Sequence, residues 1–239
     1  MIQFENVCVY YEKGTEILHS LSFEIKAGER VGLIGANGAG KSTLFKALTG
    51  LVPFEGEITV CGLTLDKDNL AQIRTKTGYI MQNSDNQMFM PRVIDDMVFG
   101  PVNYGMSRDE AEKSASEALE KLDAAYLRDK YNHKLSGGEK RLAAIAAILA
   151  MKPEILLFDE PSSALDPKNR RNLIGIVNTL PETKIIATHD LDFVLDTCER
   201  VILLSKGKIA ADGSAAEILA DKVLLEKNGL ELPLSLLRR

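Results

Sequence analysis

The rhythm of apolar and polar positions changes along the chain, and each change predicts a different kind of element. IQFENVCVYY (Ile2 to Tyr11) is rich in β-branched and aromatic residues, and LSFEIKAG (Leu21 to Gly28) alternates before a Gly turn, so both predict strands. RVGLIGANGAGKST runs from a buried-type strand into a Gly-rich loop and then a helix, KSTLFKALTGL, closed by Gly50 and Pro53. GEITVCG and KTGYIMQ predict two further strands. From about Asp85 to Leu135 a helical period takes over, clearest in SRDEAEKSASEALEKLDAAYL, where Ser107 is the N-cap and Glu110 completes a capping box. Helix and strand then alternate through GEKRLAAIAAILA, EILLFDEP, PKNRRNLIGIVNTL, TKIIATHD and RVILLSKGKIAADG. That alternation predicts an α/β fold with a mostly parallel sheet and helices on its faces. QNSDNQMFMPRVIDDMVFG (Gln82 to Gly100) fits no such pattern: Met88, Phe89, Met90, Met97 and Phe99 sit among polar and acidic residues in a stretch that reads as a loop.

Composition narrows the classes. The 239 residues suit one large domain, or a core with a small insertion. The net charge is −5, from 29 basic against 34 acidic residues, without a long basic block, so no nucleic-acid partner or anionic lipid surface is expected. The longest apolar run, Leu142 to Met151, is about half of what a bilayer span requires. The start, MIQFENVCVYYEKG, lacks the charged and apolar regions of a signal peptide. Cys8, Cys61 and Cys198 are too scattered for metal-ligand spacing and are expected as buried small residues in a reducing cytosol. The expected location is the cytosol, or the surface of a membrane the chain does not enter. The apolar tail LELPLSLLRR, with its basic end, is a candidate docking element.

Four places carry chemistry. Gly35, Ala36, Asn37, Gly38, Ala39, Gly40, Lys41, Ser42 and Thr43 fit G-x-x-x-x-G-K-[ST] between a strand and a helix. Such glycines turn backbone N–H groups around an anion at a helix N-terminus, Lys41 reaches the β- and γ-phosphates, and the Ser42 hydroxyl ligates Mg²⁺. ILLFDE ends an apolar strand in Asp159 and Glu160; strand alternation points the two acids in different directions, Asp159 toward a metal and Glu160 toward an attacking water as general base. His189 ends a second apolar strand, on the sheet edge expected to hold the phosphates, and so predicts a γ-phosphate contact. Leu135 to Glu139 (LSGGE) opens a helix with Ser136 as its cap, and reads either as a second anion cradle or as a well-capped helix with a flexible entrance.

The order of these motifs resembles the ATP-binding subunits of ABC transporters over essentially the whole chain. GANGAGKST is similar to Walker A, ILLFDE to Walker B with its catalytic Glu160, and LSGGE to the ABC signature. Gln82 falls at the Q-loop, SALD with Asp166 at the D-loop, and His189 at the H-loop, while Tyr11 matches the aromatic on which adenine stacks. The resemblance implies a P-loop NTPase core with an N-terminal antiparallel β subdomain and an inserted helical subdomain. Its expected bounds are 1–84 and 152–220 for the core, about 85–151 for the helical part, and about 221–239 for a short C-terminal extension. It implies ATP and Mg²⁺ as cofactors, with Ser42, Gln82 and Asp159 at the metal. It also implies a head-to-tail dimer with an identical or homologous ATPase subunit, in which Ser136, Gly137, Gly138 and Glu139 close on the nucleotide held by the partner's P-loop and Asp166 lies at the interface. Two positions depart from the common signature: Glu139 stands where many relatives have Gln, and Leu142 where many have Arg.

QNSDNQMFMPRVIDDMVFGPVNYGM is similar to the Q-loop region of the energy-coupling-factor branch, whose members drive cobalt, nickel and vitamin importers; Ser84 and Asn86 replace its usual Pro and acid. The resemblance implies an integral membrane transporter subunit and a substrate-binding membrane subunit as partners, with the chain peripheral on the cytoplasmic face. Met88, Phe89 and Met90 would form an adaptable socket for the membrane subunit, or else cover the helical subdomain's own core. The alternatives are a soluble ABC ATPase free of any transporter and the ATPase of another transporter class. No His/Cys/carboxylate cluster with ligand spacing accompanies these motifs, so the solute is not written in them.

Overall fold

A computed structural model describes residues 1–12 and 14–237; Arg238 and Arg239, the basic end of the expected docking tail, lie outside them. In chain order the elements are β1 (Ile2–Glu12), β2 (Thr15–Ile25), β3 (Arg30–Ile34), α1 (Lys41–Leu48), β4 (Phe54–Val60), β5 (Leu63–Thr64), α2 (Leu70–Lys76) and β6 (Thr77–Ile80). They continue as α3 (Val93–Asn103), α4 (Arg108–Lys121), α5 (Gly137–Leu149), β7 (Ile155–Asp159), α6 (Pro167–Thr179) and β8 (Thr183–Ala187). The last are α7 (Leu191–Thr197), β9 (Arg200–Ser205), β10 (Lys208–Ser214), α8 (Ala215–Ala220) and α9 (Lys222–Lys227).

An antiparallel sheet in the order β2-β1-β4-β5 packs over a second sheet in the order β10-β9-β3-β8-β7-β6. The second is parallel from β9 to β6. The expected α/β class, mostly parallel with an antiparallel N-terminal sheet and added helices, is therefore the observed one. In β1 the buried positions switch from Ile2 and Phe4 to Val7 and Val9, because a register irregularity lies between Phe4 and Val7 and Asn6 takes φ 51°. Without that bulge half of the strand's apolar residues would face away from the core.

Strands β7 and β8 are buried at every position because both of their faces are covered. Ile155 and Leu157 of β7 join the cluster under the antiparallel sheet and α1, whereas Leu156 and Phe158 join the cluster formed with α3 to α8. Strands β8 and β9 divide in the same way. RVILLSKGKIAADG is a hairpin, not a single element: Lys206 and Gly207 take φ 47° and 74°, the left-handed pair of a two-residue turn, and β10 runs antiparallel to β9.

Between β6 and α5 the helical period gives α3 and α4, and Ser107 and Glu110 form the capping box of α4. Their apolar faces, from Val93 through Leu119, and Met88 of the loop before them belong to the same cluster as α5 to α7. The tail after α9 lies on its own chain: the Leu234 and Ser235 amides donate to the Asp192 carboxylate of α7 at 2.9 and 3.0 Å. No helix among the described residues is long and apolar enough to cross a membrane.

Candidate functional site

Strand β3 ends at the middle of the parallel sheet, and the chain must turn at once into α1. Gly35 makes that turn at φ 155°, where a Cβ would stand 2.3 Å from the Leu204 carbonyl oxygen, so no side chain fits. Gly40 opens α1 at φ 107°, where a Cβ would meet Leu18 Cδ2 at 2.5 Å. No side chain caps this helix, so its leading amides face the loop. Lys41 is 8% exposed, and its ammonium donates to the Gly35 carbonyl at 2.7 Å, folding back over the loop. Burial pushes its pKa down, against the pull of Glu160 and Asp159.

A cavity of about 480 Å³ opens over this loop, lined by Asn37 to Thr43 together with Tyr11, Ile17, Gln82, Glu160 and His189. Tyr11 is half-exposed on β1, with its hydroxyl 3.5 Å from Thr43 Oγ1 and the Lys46 ammonium 5.6 Å from its ring centroid. Gly35 and Ala36 shape the loop from beneath, where the Ala36 carbonyl accepts from the Ala39 amide at 3.0 Å. Larger and equal cavities adjoin this one. One of 810 Å³ shares His189 and is lined by Ser162, Asp190 and Asp192; one of 490 Å³ shares Gln82 and reaches Gly137 and Ser163.

The two acids at the end of β7 diverge, as strand alternation requires. Asp159, 5% exposed, accepts from Ser42 Oγ at 3.3 Å and from the Tyr79 hydroxyl at 2.9 Å. Burial raises its pKa above the usual carboxylate range, while the bonds from Tyr79 and Ser42 pull the other way. Glu160 takes φ 45°, a left-handed backbone that is costly for a side chain with a Cβ. Its Oε2 accepts from Thr188 Oγ1 at 2.9 Å and from the His189 amide at 3.3 Å, and His189 Nδ1 lies 2.8 Å away. The His189 ring is otherwise open, with its side chain 64% exposed.

The donor set fits Mg²⁺ bound with a nucleotide. Ser42 Oγ and Asp159 Oδ1 converge at 3.3 Å beside the loop, and Gln82 lines the same cavity. No group of three or more His, Cys, Asp or Glu gathers as a metal site among the described residues. That suits an ion that keeps waters and phosphate oxygens as ligands rather than an all-protein cage.

Other expected residues stand apart. Ser136, Gly138 and Glu139 do not line the loop cavity of their own chain. Ser136 Oγ accepts from the Glu139 amide at 3.3 Å and Glu139 Oε2 accepts from the Ser136 amide at 2.9 Å, a full capping box on α5. The Lys130 ammonium, at 2.7 Å, and that Ser136 amide hold the Glu139 carboxyl down to about 2. Asp166 caps α6, accepting from the Lys168 and Asn169 amides at 2.9 Å.

The expected three-residue socket needs correction. Met88 is 7% exposed and belongs to the core with Val93 and Met97, so it is a packing residue. Met90 is half-buried, and its amide donates to Asp96. Phe89 alone is open, 62% exposed, and it stacks edge-on against the exposed Phe99 with ring centroids 5.0 Å apart. Phe99 lies on α3, whose first residues fall within the stretch that the sequence pattern reads as a loop.

Sequence reasoning also missed Tyr79, Thr188 and Arg141. Tyr79 of β6 and Thr188, one residue past β8, reach Asp159 and Glu160 through their hydroxyls; polar groups among or just after buried strand positions were the available signal. Arg141 is a buried cation within LAAIAAILA's helix whose partners are backbone carbonyls, and spacing cannot show those.

Against known proteins, residues 18–163 match the family model described as ABC transporter. The energy-coupling factor transporter ATP-binding protein EcfA of Methanothermobacter thermautotrophicus is 42% identical over 98% of this chain and 77% of its own. Several other relatives carry only a provisional ABC transporter ATP-binding name. Among solved structures, cbiO1 from Clostridium perfringens, part of the ABC transporter complex cbiONQ, superposes with TM-score 0.85 at 34% identity, covering 95% of this chain and 93% of that one. A dimeric ATP-binding cassette in a post-hydrolysis state, bound to ADP and Pi, gives TM-score 0.79 at 28% identity, covering 90% and 99%.

Proposed function

Because the chain belongs to the ABC transporter family as an ATP-binding, ATP-hydrolysing subunit, we propose that it energises an importer of the energy-coupling-factor type. The likeness to EcfA and to cbiO1 over nearly the whole chain supports that branch. The open Phe89–Phe99 pair is the observation that carries the membrane partner: two aromatic rings are left in solvent beside the loop that begins at Gln82. On this reading residues 1–84 and 152–220 form the nucleotide core, 85–151 the helical subdomain, and 221–239 a C-terminal extension. The chain sits peripherally on the cytoplasmic membrane face. The transported solute, a cobalt or nickel ion or a vitamin, is recognised elsewhere.

ATP lies with its phosphates on Gly35 to Thr43 and its base against Tyr11. Lys41 and the leading amides of α1 neutralise charge on the β- and γ-phosphoryl oxygens. Ser42, Asp159 and Gln82 would hold Mg²⁺, which when bound supplies further neutralisation of those oxygens. Glu160 orients the attacking water and receives its proton, and Thr188 and His189 fix the carboxylate for that task. The signature turn, Ser136 to Gly138 with Glu139 behind it, does not line its own chain's phosphate cavity. Each site is therefore completed by a second ATPase subunit, with Asp166 near that contact.

The test is co-purification of tagged protein from native membranes in mild detergent. An integral membrane protein is expected with the parent and lost with Phe89→Ser plus Phe99→Ser, while ATP binding persists. Recovery of soluble proteins only, unchanged by the double substitution, would overturn the importer reading in favour of a soluble ABC ATPase.

A further inference from the structure

Arg141 stands in the second turn of α5, just past the glycines of the signature turn. It is 5% exposed. Its Nη1 donates to the Met81 carbonyl at 2.7 Å and its Nη2 to the Gln82 carbonyl at 2.6 Å, and its Nε has no partner among the described residues. Burial lowers its pKa, and no carboxylate opposes that shift. A buried cation balanced only by carbonyl dipoles contributes little to stability, since an apolar side chain of similar volume avoids the desolvation cost. What the guanidinium supplies instead is geometry. In an extended strand successive carbonyls point to opposite sides. At the end of β6 two successive carbonyls turn to one planar fork, so Arg141 defines how the chain leaves the sheet at Gln82.

The same stretch is tied to α5 twice more. Gln87 Oε1 accepts from the Met81 amide at 3.1 Å, and Gln87 Nε2 donates to the Ala144 carbonyl of α5 at 2.9 Å. Lys140 pairs with Asp85. Both polar groups of the Met81 backbone are therefore held by residues on or bonded to α5. Gln82 meanwhile faces the phosphate cavity, and it also faces the neighbouring cavity that holds Gly137.

We infer that Arg141 is a positioning residue that makes Gln82 and the signature turn at the head of α5 move as one body. Resting on the head-to-tail dimer proposed above, this couples the sites: a shift of Gln82 at one chain's nucleotide carries the turn that completes the other chain's site. Arg141 does not line the phosphate cavity and reaches it only through the Gln82 backbone, so its larger effect falls on assembly and its smaller one on the first binding of ATP.

The experiment uses the full chain with Glu160→Gln, so that hydrolysis does not dissolve the dimer. ATP binding to dilute monomer is measured by equilibrium dialysis with radiolabelled ATP, and ATP-driven dimerisation by sedimentation. Arg141→Met keeps most of the buried volume and removes both bonds. Monomer affinity is expected within about threefold of the parent, and the dimer dissociation constant to weaken by roughly tenfold, or about 1.4 kcal/mol. Arg141→Lys, a point charge without the fork, should recover only part of the loss. A lowered melting temperature with an unchanged dimer constant would make Arg141 merely structural and overturn the inference. Should Arg141→Met not fold, Arg141→Lys and Gln87→Met are measured instead, and unchanged dimerisation in both has the same meaning. A Glu160→Gln parent that binds ATP without dimerising would instead remove the dimer reading itself.

Discussion

Asp96 lies on the first turn of α3 with its carboxylate buried, 7% exposed, and it holds the Phe89 loop in place. It accepts from the Phe89 and Met90 amides at 3.0 and 3.1 Å and from Asn132 Nδ2. Asp96→Ala removes all three bonds. Hydrogen bonds to a charged group are worth about 1.5–3 kcal/mol each, but the substitution also relieves the carboxylate's desolvation, which is large enough to raise its pKa despite those bonds. Phe89 is exposed, so water can replace its bond. The net loss works out at about 2–4 kcal/mol. For a chain of this size that lowers the melting temperature by about 5–10 °C. Asp96→Asn should cost less, about 1 kcal/mol. Its carbonyl keeps both amides, and its new N–H₂ finds the Asn132 Oδ1, which has no partner, once that amide flips away from the Met90 carbonyl. The pH dependence gives a second reading. An acid whose folded pKa is raised binds more protons folded than unfolded, so its share of stability falls as pH rises from the usual carboxylate value through the raised one. Asp96→Asn abolishes that slope. Urea titrations of parent, Ala and Asn variants at several pH values measure all of this. An Ala variant within about 0.5 kcal/mol of the parent, or an Asn variant as damaged as Ala, would refute the reasoning.

Two further outcomes concern the reaction. Glu160→Gln should keep ATP binding and accumulate an ATP-bound dimer, with turnover down by about 10²-fold or more in a phosphate-release assay; full turnover would remove Glu160 from the role of base. Tyr79→Phe takes away a bond that pulls the Asp159 pKa down. The carboxyl then rises further, protons compete better with the metal, and the acid limb of the ATPase pH profile at low Mg²⁺ moves to higher pH. An unmoved limb would show that the phenol does not tune Asp159.

The legibility of the site followed how local each signal was. The phosphate loop, the acids at the end of β7, the Ser107–Glu110 capping box and the Ser136 cap are contiguous runs whose geometry is set within a few residues, and their spacing was enough to place them. Met88 and Phe89 show where that stops. They are adjacent and both apolar, yet one is core and one is open, because the loop's path is set by Asp96 and Asn132, which lie elsewhere in the chain. The β9–β10 hairpin was blurred for a related reason: its turn uses Lys206 at positive φ, a residue with no turn signature of its own.

Sequence by itself determined the class of fold, the nucleotide loop and the family, since alternation of strand and helix and the glycine spacing are local consequences of backbone sterics and burial. Only the tertiary structure decided which groups hold the candidate site residues. Tyr79 on Asp159, Thr188 on Glu160 and Arg141 on Gln82 join residues from different strands and helices. Such bonds depend on the order in which strands lie side by side and on how α5 packs against β6, and those distances appear only when the chain closes its core.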